Sequence, residues 1–146
     1  MAFETPSGTI KLIMYVSIVC GQRILLVEYV TPPNPDKKGW WIPAPEISFG
    51  EDPAARAATV LADLGFADAL AELCDIESFT VGGAWHVIFH YRAEVASDAK
   101  PVPGAGIRRW QWVSAEDMPD APAFAHGKWE RSLALRRIEE EVRAET

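Results

Sequence analysis

Between Ile10 and Val30 almost every position is apolar or β-branched. The run reads IKLIMYVSIVC, then Gly21-Gln22, then RILLVEYV. Two such runs separated by a glycine-containing pair predict a β-hairpin with a two-residue turn. Their near-continuous apolar character predicts strands covered on both faces. Residues 31–39, TPPNPDKKG, carry three prolines and three charges, a pattern that forbids a ladder and predicts a wet loop. A short strand is expected over 40–43, WWIP, before PEISFGED leads into a helix.

The helix is expected over 53–64, PAARAATVLADL. Pro53 suits a first helical turn, Asp52 suits the N-cap and Gly65 the stop. Ala57, Val60, Leu61 and Leu64 recur at helical spacing as an apolar stripe, with Asp52, Arg56, Thr59 and Asp63 on the polar side. Further on, Ser78–Val81, Gly82-Gly83 and AWHVIFHYRAEV read as a second hairpin. Alternation there sets Trp85, Val87, Phe89 and Tyr91 on one face and His86, Ile88 and His90 on the other. Residues 96–106 read as a flexible loop, IRRWQWV (107–113) as a strand, and SAEDM as a capped helical turn. A last helix, about 126–143, is expected to bury Trp129, Leu133, Ile138 and Val142. Strands before and after a central helix, followed by a closing helix, predict an α/β fold with a mixed sheet. The length of 146 residues fits one domain over 1–146.

A net charge of -7 argues against a nucleic-acid partner, which needs a basic footprint. Six tryptophans are many for this length, and several are expected to line a pocket or an interface. Cys20 and Cys74 match no metal-ligand spacing, and both are expected as buried free thiols. Met1–Ile10 lacks the basic start and apolar run of a signal peptide, and Leu12–Cys20 is too short to span a bilayer. These features give a cytoplasmic protein with no membrane partner as the expectation.

The order strand, WxxP, acidic turn, Gly-Glu, alanine-rich helix and Gly, in WWIPAPEISFGEDPAARAATVLADLGF (40–66), resembles the Nudix hydrolase family. RRWQWVSAEDMPD is similar to that family's late strand and turn, and AHGKW to the start of its closing helix. The resemblance covers about residues 10–140. It implies a Nudix-like α/β/α sandwich that cleaves diphosphates with Mg or Mn held by helix glutamates. The chemistry asks for those carboxylates, because a charged diphosphate must be neutralised before water attacks and magnesium takes hard oxygen ligands. Here Gly50-Glu51 matches the family's Gly-Glu, and Gly65-Phe66 its closing Gly and apolar residue. Between them the chain is one residue shorter than usual. Counting back from Gly65, Asp63 takes the place of a metal-ligating glutamate, Ala62 and Thr59 replace two others, and Ala58 stands for the motif arginine. Ala44-Pro45 replaces the Gly-Gly turn. One of three helix carboxylates remains, shortened to Asp.

The resemblance therefore implies Glu51 and Asp63 as catalytic candidates, with Asp63 as metal ligand. Asp63 also reads as a solvated helix acid pairing with Arg56 or Thr59, and Glu51 as a carboxylate at a helix N-terminus. Arg56 lies one turn further on and is placed to substitute for the missing arginine. Glu46, a candidate replacement ligand, reads equally as an exposed loop acid. Trp41, Glu46, His86, Arg109 and Trp110 are the ligand-binding candidates, through aromatic stacking, an imidazole and a cation for phosphate. Against them stand core packing for half the tryptophans, a satisfied histidine and a solvated strand edge. Three functional readings follow. The first is a Nudix-fold protein binding a nucleotide-like or other small ligand, with diphosphate hydrolysis weak or lost. The second is a metal-dependent pyrophosphohydrolase acting on nucleoside diphosphate derivatives through a site rebuilt on Asp63, Glu51 and Glu46. The third is a non-catalytic interaction module, such as a homodimer joined through tryptophans.

Overall fold

The computed structural model describes residues 7–96, 99–102, 104 and 106–145. The first apolar run forms β1 (Thr9–Cys20) and β2 (Arg23–Tyr29), which turn at Gly21 with φ +60°. The expected hairpin is present but short: only Val19↔Ile24 and Cys20↔Arg23 pair across it. Beyond these residues the two strands part, and the WWIP segment enters between them. Val27 and Trp41 exchange two backbone hydrogen bonds, 2.8 and 2.9 Å, and Val16 N–H donates to the Pro43 carbonyl at 2.8 Å. Pro43 and Pro45 have no N–H to continue a ladder, so the expected strand over 40–43 reduces to isolated bridges, Val27↔Trp41 and Trp40↔Phe124.

Having left β2, β1 pairs in parallel with β4 (Ala84–Glu94) from Thr9 to Val19. β4 pairs antiparallel with β3 (Glu72–Val81), and β2 with β5 (Ile107–Ser114). The result is a mixed five-stranded sheet in the order β3-β4-β1-β2-β5. β3 begins six residues before the run at Ser78 that the pattern picked out. Its first half, ELCDIE, is acidic, exposed and broken by a bulge between Leu73 and Asp75, which hides it from an alternation test.

Helix α1 (Pro53–Asp63) is bounded as the sequence predicts. The Asp52 carboxylate accepts from Ala54 N–H at 3.2 Å. Gly65, at φ +87°, closes the helix with crossed bonds from Phe66 N–H to Leu61 O (2.7 Å) and Gly65 N–H to Ala62 O (3.0 Å). Ala57, Leu61 and Leu64 are buried, as the stripe required. Phe66, just past α1, packs near Trp112 of β5, while Trp129 of α2 (Gly127–Glu145) packs near Tyr15 of β1. By strand alternation these are opposite faces, so the two helices sandwich the sheet.

The stripe expected on α2 is corrected in part. Leu133 and Ile138 are buried, but Trp129 and Val142 lie at the exposed margin. The buried face instead follows 130, 133, 134, 137, 138 and 141, and includes Glu130, Arg137 and Glu141. Charge is tolerated there because each group has a partner. Arg137 meets Glu140 at 2.8 Å, Glu141 pairs with Arg92, and Glu130 accepts from the backbone N–H of Ile42 (2.8 Å) and of His126 (3.1 Å).

Other expectations shift in detail. SAEDM is a turn stabilised by Ser114 Oγ, and helical geometry appears only in one 3-10 turn at Ala121–Ala123. Cys20 is buried and free, whereas Cys74 is free but exposed, since it sits on the bulged edge strand. The expected loop over 96–106 lies partly outside the described residues. Its described part packs on the end of α1 through Val102 N–H to Leu64 O, 2.8 Å. At Gly39, φ is +111° and an added Cβ would stand 2.5 Å from the Ala123 carbonyl oxygen, so only glycine allows the Trp40 segment to dock on the 3-10 turn.

Glu130→Ala would leave two buried backbone donors without an acceptor. We expect a loss of about 3 kcal/mol in urea-induced unfolding, because stranded buried donors carry their full desolvation cost.

Candidate functional site

The parting of β1 from β2 leaves the first half of β1 paired on one edge only. A cavity of about 560 Å³ opens beside its other edge. Residues 11–15 of β1, Pro33 and Asn34 of the loop, Trp41, Glu46 and Ile47, and His126 line it. A second cavity of about 450 Å³ shares Lys11, Ile13, Tyr15, Asn34 and His126 with the first and adds Lys37, Phe79, His86, Ile88 and Trp129. The two form one cleft. Its floor follows from register: Lys11↔His86, Ile13↔Ile88 and Tyr15↔His90 are paired residues on one face of the sheet.

The walls of this cleft are aromatic. Trp41 meets the His126 ring edge-on at 4.7 Å between centroids, Tyr15 lies 5.4 Å from Trp129, and Phe79 stacks on His86 at 5.1 Å and 8°. His126 Nδ1 stands 3.2 Å from Glu130 Oε1 and 3.4 Å from the Tyr15 hydroxyl, so Nε2 is the ring nitrogen left for a ligand. Burial, aided by Glu130, holds the Tyr15 hydroxyl far above the ordinary tyrosine range, so it stays a neutral donor and acceptor. Two cations, Lys11 and Lys37, border the second cavity, and Glu46 lies at the other end.

Around α1 the chemistry is sparser. A third cavity of about 480 Å³ is lined by Asp63, Arg56, Val60, Tyr29, Pro43 and Pro45, with Gly104 and Gly106 across from them. Arg56, expected to substitute for the missing arginine, does not pair with Glu51 among the described residues. Its Nε donates to the Glu46 carbonyl at 2.9 Å. Glu51 instead turns back on its own loop, accepting from Ser48 N–H at 2.5 Å. Thr59 Oγ1 donates to Ala55 O at 3.1 Å. Tyr29 hydroxyl accepts from Ala44 N–H at 2.9 Å, and burial pushes its pKa up to about 12. Glu46 and Asp63 line different cavities, with Pro45 common to both. Among the described residues no three Asp, Glu, His or Cys side chains converge on one point. That donor set does not fit the metal cluster the resemblance implies.

Of the ligand-binding candidates, Trp41, Glu46 and His86 line the cleft. Arg109 and Trp110 sit on β5, at the opposite edge of the sheet from β3. Arg109 pairs with Glu28 at 2.8 Å and lies 4.3 Å over the Trp40 ring. Lys11, Tyr15, Phe79, His126 and Trp129 were not picked out from sequence. Their signal was available for β1 and β4, since residues 11, 13, 15 and 86, 88 share a face once the strands are paired in parallel. Nothing in the sequence announces that pairing.

No family model matches the sequence, and no curated protein matches it. Solved structures do. The chain is similar to a Caenorhabditis elegans Ap4A hydrolase, at 16% identity and a TM-score of 0.66, over 92% of this chain and 98% of that one. It is similar to the MutT protein of Methanosarcina mazei, at 14% identity and a TM-score of 0.66, over 94% and 98%. A Nudix hydrolase from Nitrosomonas europaea aligns at 17% identity and a TM-score of 0.62, over 92% and 73%. The chain has the Nudix fold. Among the described residues no helix is long and apolar enough to cross a membrane.

His90, behind the cleft, supplies a pH test. Its Nε2 meets Glu77 Oε1 at 2.6 Å, while its buried Nδ1 has no partner among the described residues. Burial lowers its pKa, with Glu77 opposing. Below the unfolded value of about 6.5 the unfolded chain takes up the proton first, so stability falls on acidification. We expect the melting temperature to drop from about pH 7 to about pH 5.5 more steeply for wild type than for His90→Gln.

Proposed function

We propose that this chain binds a nucleotide-like small molecule in the cleft between β1 and α2, with diphosphate hydrolysis weak or absent. The observation that carries the reading is a division of labour in space. Aromatic rings and cations gather around the cleft, at His86, His126, Trp129, Lys11 and Lys37, with Trp41 buried in its wall. The helix that would hold catalytic carboxylates brings one, Asp63, into a neighbouring cavity beside the cation Arg56.

The ligand class follows from the lining. A flat heteroaromatic ring is held by stacking, with hydrogen bonds to His126 Nε2, the Tyr15 hydroxyl and the open edge of β1. Lys11 and Lys37 attract an attached phosphate or other anion. Structural neighbours named for Ap4A hydrolysis, UDP-X diphosphatase and ADP-ribose pyrophosphatase activity support a nucleoside diphosphate derivative as the first class to try. Mg or Mn has no part in this binding mode. Loss of one preorganised charge-stabilising group commonly costs about 10²–10³ in rate, and here two helix carboxylates are missing.

A second reading, an active metal-dependent hydrolase, is favoured by Asp63 lining a cavity that meets the cleft at Pro45. The two are separated by hydrolysis assays on nucleoside diphosphate derivatives with Mg or Mn, comparing wild type with Asp63→Ala. We expect no turnover above background for either protein. Turnover by wild type that Asp63→Ala abolishes would overturn the proposal. For binding, Lys11→Glu is expected to weaken affinity about tenfold or more, measured by calorimetric titration, through reversal of the charge facing the anion.

A further inference from the structure

The side of the sheet turned away from α2 is only half covered. α1 shields the later part of β1 and β2, where Ala57, Leu61 and Leu64 are buried. The earlier part of β1, with β4 and β3, has no helix on that side. By strand alternation, checked by the bond from Trp85 Nε1 to Ser78 Oγ (2.7 Å), Ile10, Leu12, Leu73, Ile76 and Trp85 all point outward there. Their exposures run from 38% for Trp85 to 51% for Leu12, with half-buried Val87 and Phe89 between them. Ser78 and Thr80 are the polar residues on this face of β3, and neither ionises.

We infer that this face is the contact between two copies of the chain, packed sheet against sheet about a two-fold axis. Three observations favour a second copy. The exposed apolar area is on the order of 500 Å², at the upper end for a surface left to water. Doubled across an axis and extended by its rim, it reaches the roughly 1,200–2,000 Å² that stable pairs bury. The chain carries a net charge of -7, and a contact face without ionisable side chains adds no like-charge pairs to the repulsion between copies. The face also spans three strands, and an apolar sheet face packs on another at a spacing of about 10 Å. A partner recognised by charge would find nothing here to read.

The test is sedimentation equilibrium of the full chain. Wild type is expected at twice the chain mass at tens of micromolar. Ile10→Lys and Ile76→Lys each set a buried charge against an apolar partner and are expected to weaken association about 100-fold or more, leaving monomers. Val142→Lys, on α2 and across the sheet, is expected to leave the dimer intact. Both sheet positions are exposed in one copy, so circular dichroism and melting should stay close to wild type. Should a lysine variant fail to fold, Ile76→Thr, which keeps the β-branch, is expected to weaken the dimer about tenfold. A monomeric wild type at hundreds of micromolar would overturn the inference. So would a dimer untouched by the folded sheet-face variants.

Discussion

The buried carboxylate of Glu130 ties the segment wedged between β1 and β2 to the start of α2. It accepts from Ile42 N–H in the segment wedged between β1 and β2, and from His126 N–H where α2 begins. It also faces His126 Nδ1. The wedge cannot hold itself in place by a ladder, because Pro43 and Pro45 have no donors to give. Its remaining anchors are scattered bonds: Val16 to Pro43, the pair between Val27 and Trp41, Trp40 N–H to the Ala123 carbonyl, Ala125 N–H to the Trp40 carbonyl, and Ala44 to the Tyr29 hydroxyl. With the wedge fixed, the first half of β1 keeps a free edge, and the cleft opens beside that edge. The contact at the helix start thus helps to shape the site.

Much of this was legible in the sequence. The strand runs, the bounds of α1, the order of elements and the fold all follow from apolar periodicity and from Asp52, Pro53 and Gly65 at the helix ends. What escaped was non-local. A Gly21 turn between two apolar runs reads as a full hairpin, and only the inserted WWIP segment shortens it. A glutamate in the first turn of α2 reads as a helix acid facing solvent, yet the 130-133-134-137 spacing places it on the buried face. The acidic half of β3 alternates poorly because an edge strand exposed on both faces has no core to pattern it. Trp41, Glu46 and His86 line the cleft and were chosen by residue type. Lys11 and Tyr15 were not, because a lysine and a tyrosine in an apolar strand carry no sign of the edge they will border.

The same physics separates binding from catalysis. Stacking and point charges need only a cleft with the right walls, and the wedge provides that without any contribution from α1. Hydrolysis needs several carboxylates fixed at helical spacing, and by the family resemblance α1 has Thr59 and Ala62 at two of those positions. Arg56, held by the Glu46 carbonyl, lines the same cavity as Asp63 and gives it a positive charge. A shared fold does not by itself carry a shared chemistry.

The central claim is that the cleft holds its ligand without a metal. Its most direct measurement is an equilibrium titration of nucleoside diphosphates in excess EDTA, following the intrinsic fluorescence of Trp41 and Trp129 at the cleft walls. Saturable quenching, with the same affinity when Mg²⁺ is added back, is the predicted result. Binding that appears only with Mg²⁺, or no binding at millimolar ligand under either condition, would contradict the account.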